Sequence, residues 1–261
     1  MKIGVISDTH CGSHAGLLHP DRWNKHTPGA IKWLHGCFDW LYSEWPKLDL
    51  LILNGDIIDG KQSKSAGTGV HTASLGEQVE IALECFRPWR KKAAKIIRLA
   101  GTPYHEGFDG ALREFDSEMG IARPKSVEQW IVRDIDIGDG VTLNVKHHPD
   151  GGHAIYRGTV MDRELLWRTV AESVHKLPNA SIVLRSHLHT CAAFAGFRKE
   201  LHLCPCFQLQ SPYALHKQHA RWIPDIGGTL IESDRFAMNK FSVRHKVFPM
   251  PREKAERYEA I

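Results

Sequence analysis

Short apolar runs that end abruptly in glycine or acid alternate, along the first hundred residues, with longer stretches of helical spacing. Residues 2–7 (KIGVIS) form an apolar run that stops at Asp8 and reads as a strand buried on both faces. A polar loop spans 11–28. Ile31, Leu34, Phe38 and Leu41 then recur at helical spacing over 29–45, and Pro46 ends that helix. Residues 50–54 (LLILN) read as a second buried strand, stopped by Gly55-Asp56, and 61–69, rich in Ser, Gly and Lys, as a loop. Leu75, Val79, Ala82, Leu83 and Phe86 predict a helix over 73–92 that Pro88 would kink or break, and 95–100 a third strand. This order predicts an α/β layer fold with a parallel sheet and right-handed crossovers.

The second half changes character. Residues 127–136 and 141–146 read as strands flanking an Ile-Gly-Asp-Gly turn, a hairpin signal. A helix is expected over 161–176, a strand over 181–185, and short strands at 191–197, 200–209, 226–232 and 241–247. The tail, 249–261, is polar and reads as a surface helix. With no internal repeat and no long linker, residues 1–261 are expected to form a single domain with two sheets.

Composition narrows the class without choosing a function. Hydrophobic residues are 42% of the 261 and charged residues 25%, ordinary values for a folded domain. The net charge of +4 suits an anionic substrate without demanding one. The six cysteines (11, 37, 85, 191, 204, 206) in a chain too long to need stapling point to a reducing, cytoplasmic setting. The opening MKIGVISDTH lacks the apolar stretch of a secretory signal, and no run approaches the roughly 20 residues of a membrane span. The 17 histidines stand out, because imidazole is the commonest metal ligand.

Position gives those histidines meaning. Five places matter, each just beyond a predicted strand, where α/β sheets bind ligands. They are Asp8-Thr9-His10, Gly55-Asp56, the turn GTPYHEG over 101–107 with His105, His147-His148, and His187-Leu188-His189. Each alone has a plainer reading; Gly-Asp, for instance, is a common turn. Together they form a mixed Asp/His set, which suits Zn, Mn, Fe, Co or Ni better than Mg or Ca. Two such ions sharing one carboxylate would clamp a phosphoryl group for in-line displacement.

Other candidates read more simply. His14, His19, His26 and His71, in loops that should overhang these strand ends, read as exposed loop polarity. Arg87, Lys91, Lys95 and Arg98 beside Trp89 read as a solvated helix face at the wrong end of the third strand to meet the site, and Cys204 and Cys206 as a buried pair on a strand.

The ordered set DTH, NGD, GTPYHE, a strand-end His and SHLH, over residues 2–190, resembles the calcineurin-like metallophosphoesterases, whose pattern is DxH, GD, GNH[DE], H and GHxH. The resemblance implies a four-layer α/β/β/α sandwich of two mixed sheets, with a binuclear metal centre at the strand carboxyl ends. It implies that Asp8, His10 and His189 hold one divalent transition-metal ion (Mn, Fe, Zn or Ni rather than Mg). Asp56 would bridge to a second ion held by His187 and His147, with His148 the alternative. His105 would protonate the leaving oxygen as a metal-activated hydroxide attacks phosphorus. This chain departs from the pattern twice. Thr102 stands where the family has a metal-ligating Asn, so either His105 enters as a ligand or the second site is weaker. Ser186 replaces a glycine. The implied activity is hydrolysis of a phosphoester, a phosphodiester ahead of a monoester. A nuclease is a subcase that no recognised nucleic-acid module supports, and a non-catalytic metal-binding scaffold is the rival from another class. No membrane partner is expected.

Overall fold

In the computed structural model, which describes residues 1–63, 66–107, 110–150, 157–175, 177–211, 223–237 and 239–251, the apolar runs become two five-stranded sheets. In the first sheet β1 (Lys2–Ile6), β2 (Leu48–Asn54) and β3 (Ala93–Leu99) lie parallel. The antiparallel strands β9 (Ile226–Ser233) and β10 (Phe241–Phe248) complete it in the order β10-β9-β1-β2-β3. The second sheet runs β4-β5-β6-β8-β7, from β4 (Val132–Asp136), β5 (Thr142–Lys146), β6 (Ile182–Arg185), β7 (Ala192–Gly196) and β8 (Lys199–Leu203). Its central strands β5, β6 and β8 are parallel and its edges antiparallel, so both sheets are mixed as expected.

Three apolar layers hold four layers of structure together. Ile3, Val5, Leu50, Ile52, Leu143, Val145, Ile182 and Leu184 meet between the sheets. On the outer face of the first sheet, Leu51 and Leu53 pack on α1 (Gly29–Glu44) and α2 (Leu75–Phe86) through Leu34, Phe38, Val79 and Phe86. On the outer face of the second, Val183 and Leu201 pack on Met161 and Leu165 of α7 (Arg157–His175). Each buried side chain of this size contributes about 1.5–3 kcal/mol. Among the described residues no helix is long and apolar enough to cross a membrane, and all six cysteines are free thiols.

The helix over 73–92 is broken at Pro88, as that proline predicts, into α2 and the short α3 (Trp89–Lys92). Three expectations need correction. The stripe of Arg87, Lys91, Lys95 and Arg98 is therefore no helix face: Lys95 and Arg98 lie on β3, and Arg98 is buried against Glu106 and Asp116. The strand read over 127–136 begins with a helical turn, α6 (Glu128–Ile131), whose Trp130 carbonyl accepts the Ala100 amide. The strand read over 200–209 ends at Leu203; Pro205 has no N–H to continue a ladder. The Cys204–Cys206 pair thus lies just beyond the strand, buried as expected. Two short helices in loops went unread, α4 (Pro103–Glu106) and α5 (Arg113–Glu118). Of the expected tail helix, 252–261 lies outside the described residues.

The carboxyl ends of β1, β2, β3, β5 and β6 converge on one edge of the sandwich. Asn54 Nδ2 stitches the sheets there, donating to Ser186 Oγ at 2.7 Å and to the Lys146 carbonyl at 3.3 Å. Beyond the strands the chain continues in register: Asp8 N–H donates to the Gly55 carbonyl, and His10 N–H to that of Asp56, both at 3.0 Å.

Candidate metal centre

The strand-end residues do not sit in ordinary backbone conformations. Asp8, His10, Asp56, His187 and His189 have φ of 51°, 43°, 51°, 70° and 52°. Non-glycine residues rarely adopt this left-handed region, and each instance costs on the order of 1 kcal/mol unless its surroundings impose it. The turns aim all five side chains inward. Two glycines make room for this: a Cβ on Gly55 would fall 2.5 Å from His147 Nδ1, and one on Gly101 would fall 2.2 Å from the Asp56 amide and carboxylate.

The inward side chains form a continuous cage of possible ligand atoms. Asp8, His10 and His189 make one group of three with ligand atoms close enough to share an ion, and Asp56, His147 and His187 make a second. Asp56 Oδ2 lies between them, 3.0 Å from His147 Nε2 and 4.0 Å from both His10 Nε2 and His187 Nδ1. His189 Nε2 approaches Asp8 Oδ1 to 3.2 Å. His148 is outside both groups: its Nδ1–H donates to the Pro149 carbonyl and its ring lies over that of His187, 4.2 Å between centroids.

Two features show that this cage fits cations. His10 Nε2 is buried with no hydrogen-bond partner, and Asp8 Oδ1 has only His189 Nε2 at 3.2 Å, outside hydrogen-bond geometry, which is costly unless a charge meets them. The far nitrogens are also occupied as metal-binding imidazoles require. His10 Nδ1–H donates to Asp59 Oδ1 at 2.9 Å and His147 Nδ1–H to the Asn54 carbonyl at 2.6 Å, which leaves each Nε2 facing the carboxylates.

Electrostatics agree. Burial alone would raise the Asp8 carboxyl, but His147 and His189 outweigh it and hold it at about 2. Asp56 is likewise driven well below the usual carboxylate range, by His147 and His105 against burial. Burial opposes charge on His147, yet Asp56 and Asp8 push it up to about 10. His189 is raised too, by Cys206 and Asp8 against burial. Two ionised carboxylates in a buried cage demand positive charge. His10 is the exception: burial and His105 push it down, toward the neutral form that ligates metals.

Thr102, a candidate ligand or substrate contact from sequence, is a donor to Asp56 in the structure. Its amide reaches Oδ1 at 2.7 Å, and its hydroxyl lies 3.1 and 3.3 Å from the two oxygens. His105 lies against the first group: its ring meets His10 edge-on at 4.5 Å, and its Nδ1–H donates to the Asp59 carbonyl at 2.7 Å. His14 and His71 pair on an exposed ribbon, 6.0 Å between centroids, while His26 is exposed and His19 faces Asp21 and His35. None of these four belongs to a ligand group among the described residues.

Sequence reading missed the residues behind the cage. Asp59, wholly buried, groups with His10 and His105 and accepts from Gln62 Nε2 at 2.9 Å and Gln208 Nε2 at 3.4 Å. Its signal was a second acid three residues after Asp56, with two isoleucines between. Glu106 braces two site loops, accepting the Ile57 amide at 2.9 Å and the Gly101 amide at 2.8 Å, with Arg98 at 3.0 Å. No local pattern marks Gln208.

No protein-family model matches this chain, and no curated protein does. Among solved structures, Zn-complexed Vps29 from Entamoeba histolytica is similar at 11% identity and a TM-score of 0.47, covering 95% of this chain and 100% of that one. An archaeal phosphodiesterase matches at 13% identity and a TM-score of 0.45, covering 94% and 100%. A Streptococcus pneumoniae protein named as a predicted phosphoesterase matches at 14% and 0.41, covering 95% and 92%. Identities and scores this low leave the function of this chain to its own residues.

Proposed function

We propose that this chain is a metal-dependent phosphoesterase, with a phosphodiester as the favoured substrate and a pair of divalent transition-metal ions as its cofactor. The observation that carries the reading is Asp56 Oδ2, set between two Asp/His groups beside the orphaned Asp8 Oδ1 and His10 Nε2. Asp8, His10 and His189 would hold one ion, His147 and His187 the other, and Asp56 both. Four imidazoles among six donors favour Mn, Fe, Zn, Co or Ni over Mg. Such ions supply Lewis-acid polarisation of phosphoryl oxygens and acidify water at neutral pH. The chain supplies the rest. The Nδ1–H bonds of His147 and His10 orient both rings with Nε2 toward the cage, where His147 would give up its Nε2 proton to an incoming ion. Thr102 and the Gly55 and Gly101 turns fix the Asp56 carboxylate. With Nδ1 tied to the Asp59 carbonyl, His105 has Nε2 left to pass a proton to a leaving alkoxide.

The test is turnover of bis-p-nitrophenyl phosphate against p-nitrophenyl phosphate by metal-stripped protein refilled with Mn, Ni, Zn or Mg. Metal-dependent diester hydrolysis, lost in Asp56→Asn, supports the reading, and a monoester preference would shift the substrate class. Tight metal binding with no turnover by folded protein would make the chain a metal-binding scaffold.

A further inference from the structure

Apart from the chain of Thr229, His245 and His202, the middle of the space between the sheets is apolar, and charged side chains enter it at the end opposite the metal cage. There the free edges, β3 and β4, leave a cleft of about 630 Å³. Residues paired across strands share a face. Lys95 pairs with Leu50, and Arg133 with Val145, and both Leu50 and Val145 belong to the layer between the sheets. Two cations therefore occupy inward positions on facing sheets. The acids bordering the cleft do not neutralise them. Asp134 is turned to the outer face, where it takes Arg168 and Asn144. Asp136, two residues on, shares that face and accepts the Gly138 amide, and Asp49 accepts the Lys2 amide. Glu128, on α6, makes no ion pair with either cation among the described residues, and Lys95 has none at all there. Arg133 Nε–H donates to the Gln129 carbonyl at 2.9 Å, but its Nη2 is buried with no acceptor.

The Nη2 of Arg133, buried without an acceptor, works against folding, where Met would fit the layer without that penalty; Lys95 is exposed and stands on the solvent side of the cleft. Burial and the nearby Arg98 both disfavour charge on Arg133, and an anion in the cleft would relieve both. Leu50, Ile97 and Ile135 provide an apolar wall beside the two cations. The volume is that of a small-molecule site, about 300–1,000 Å³. We propose that this cleft is a second ligand site, separate from the metal cage. It would take a small molecule with a carboxylate or phosphate group on a flat apolar body, the anion on Arg133 and Lys95 and the body against Leu50, Ile97 and Ile135.

The experiment titrates metal-free protein with phenylphosphonate, benzoate and benzyl alcohol while following backbone amide NMR shifts. Saturable binding of an anionic probe is expected, with shifts over 95–97 and 132–135 and benzyl alcohol about tenfold weaker or worse. Phosphonate against benzoate separates a phosphate ligand from a carboxylate one. Arg133→Met and Lys95→Met should each weaken binding by about tenfold. Arg133→Met should melt at the same temperature as the parent or higher, since it removes an unpaired buried cation. A lower melting temperature would make Arg133 a structural tie to Gln129 and overturn the proposal. So would shifts confined to the Asp8 and Asp56 loops, or no saturable binding of any probe by about 10 mM.

Discussion

Asp59→Asn separates metal binding from proton transfer, because the same residue serves His10 through its side chain and His105 through its backbone. The carboxylate accepts His10 Nδ1–H at 2.9 Å, and the substitution keeps shape and an acceptor oxygen while removing the charge. A charge-assisted hydrogen bond is about twice as strong as a neutral one, so about 1–2 kcal/mol of hold on the His10 tautomer is lost. At about 1.4 kcal/mol per decade this weakens metal binding by about five- to thirtyfold, overlapping the ten- to hundredfold range for partners behind metal ligands. His105 should be spared: its Nδ1–H is bound to the Asp59 carbonyl at 2.7 Å, whereas the carboxylate is 3.6 Å away. Calorimetric titration of stripped protein with Mn²⁺ reads the affinity, and diester turnover at saturating Mn²⁺ reads the chemistry. The expectation is a raised Kd with kcat within about threefold of the parent. An unchanged Kd with a collapsed kcat would refute the reasoning and move the work of Asp59 to His105.

Arg98→Met should cost about 3–5 kcal/mol, because it leaves Glu106 and Asp116 buried without their shared cation. For a chain of this size the melting temperature should fall by about 10 °C, and calorimetry checks it; a loss under about 1 kcal/mol would show that Glu106 braces the site loops without Arg98. His245 makes stability fall in mild acid. Burial and His202 depress it to about 4, within a chain linking Thr229, His245 and His202. Above its unfolded value of about 6.5 both states are neutral and its contribution is complete. As pH falls from there toward 4 only the unfolded state takes the proton, so stability drops by about 2 kcal/mol between pH 7 and 5. Urea titrations at the two pH values should show that difference shrink in His245→Gln, and an unchanged difference would remove His245 as its source.

The parts of this molecule that its sequence discloses are those whose role follows from local order. LLILN followed by Gly-Asp announces a buried strand and a side chain turned to its edge, because a double-sided apolar run has no other stable use and glycine permits the turn. The same reasoning brought Asp8, His10, His105, His147, His187 and His189 to one end of the sheets. It could not reach Gln208, which meets Asp59 from 149 positions away. It also misjudged Lys95 and Arg98, whose spacing from Arg87 and Lys91 suits a helix until Pro88 intervenes. On a strand, three residues apart means opposite faces, and the two side chains then have different surroundings: Arg98 among acids on one side, Lys95 in the cleft on the other. Least legible was the left-handed backbone at Asp8, His10, Asp56, His187 and His189: Asp and His enter that region more readily than most side chains, but no local pattern announces it. The five turns gather their carboxylates and imidazoles into one cage, an arrangement that only the folded chain displays. Uncommon backbone concentrated at five positions around one cage is the pattern expected of a functional site, and it supports the proposed reading.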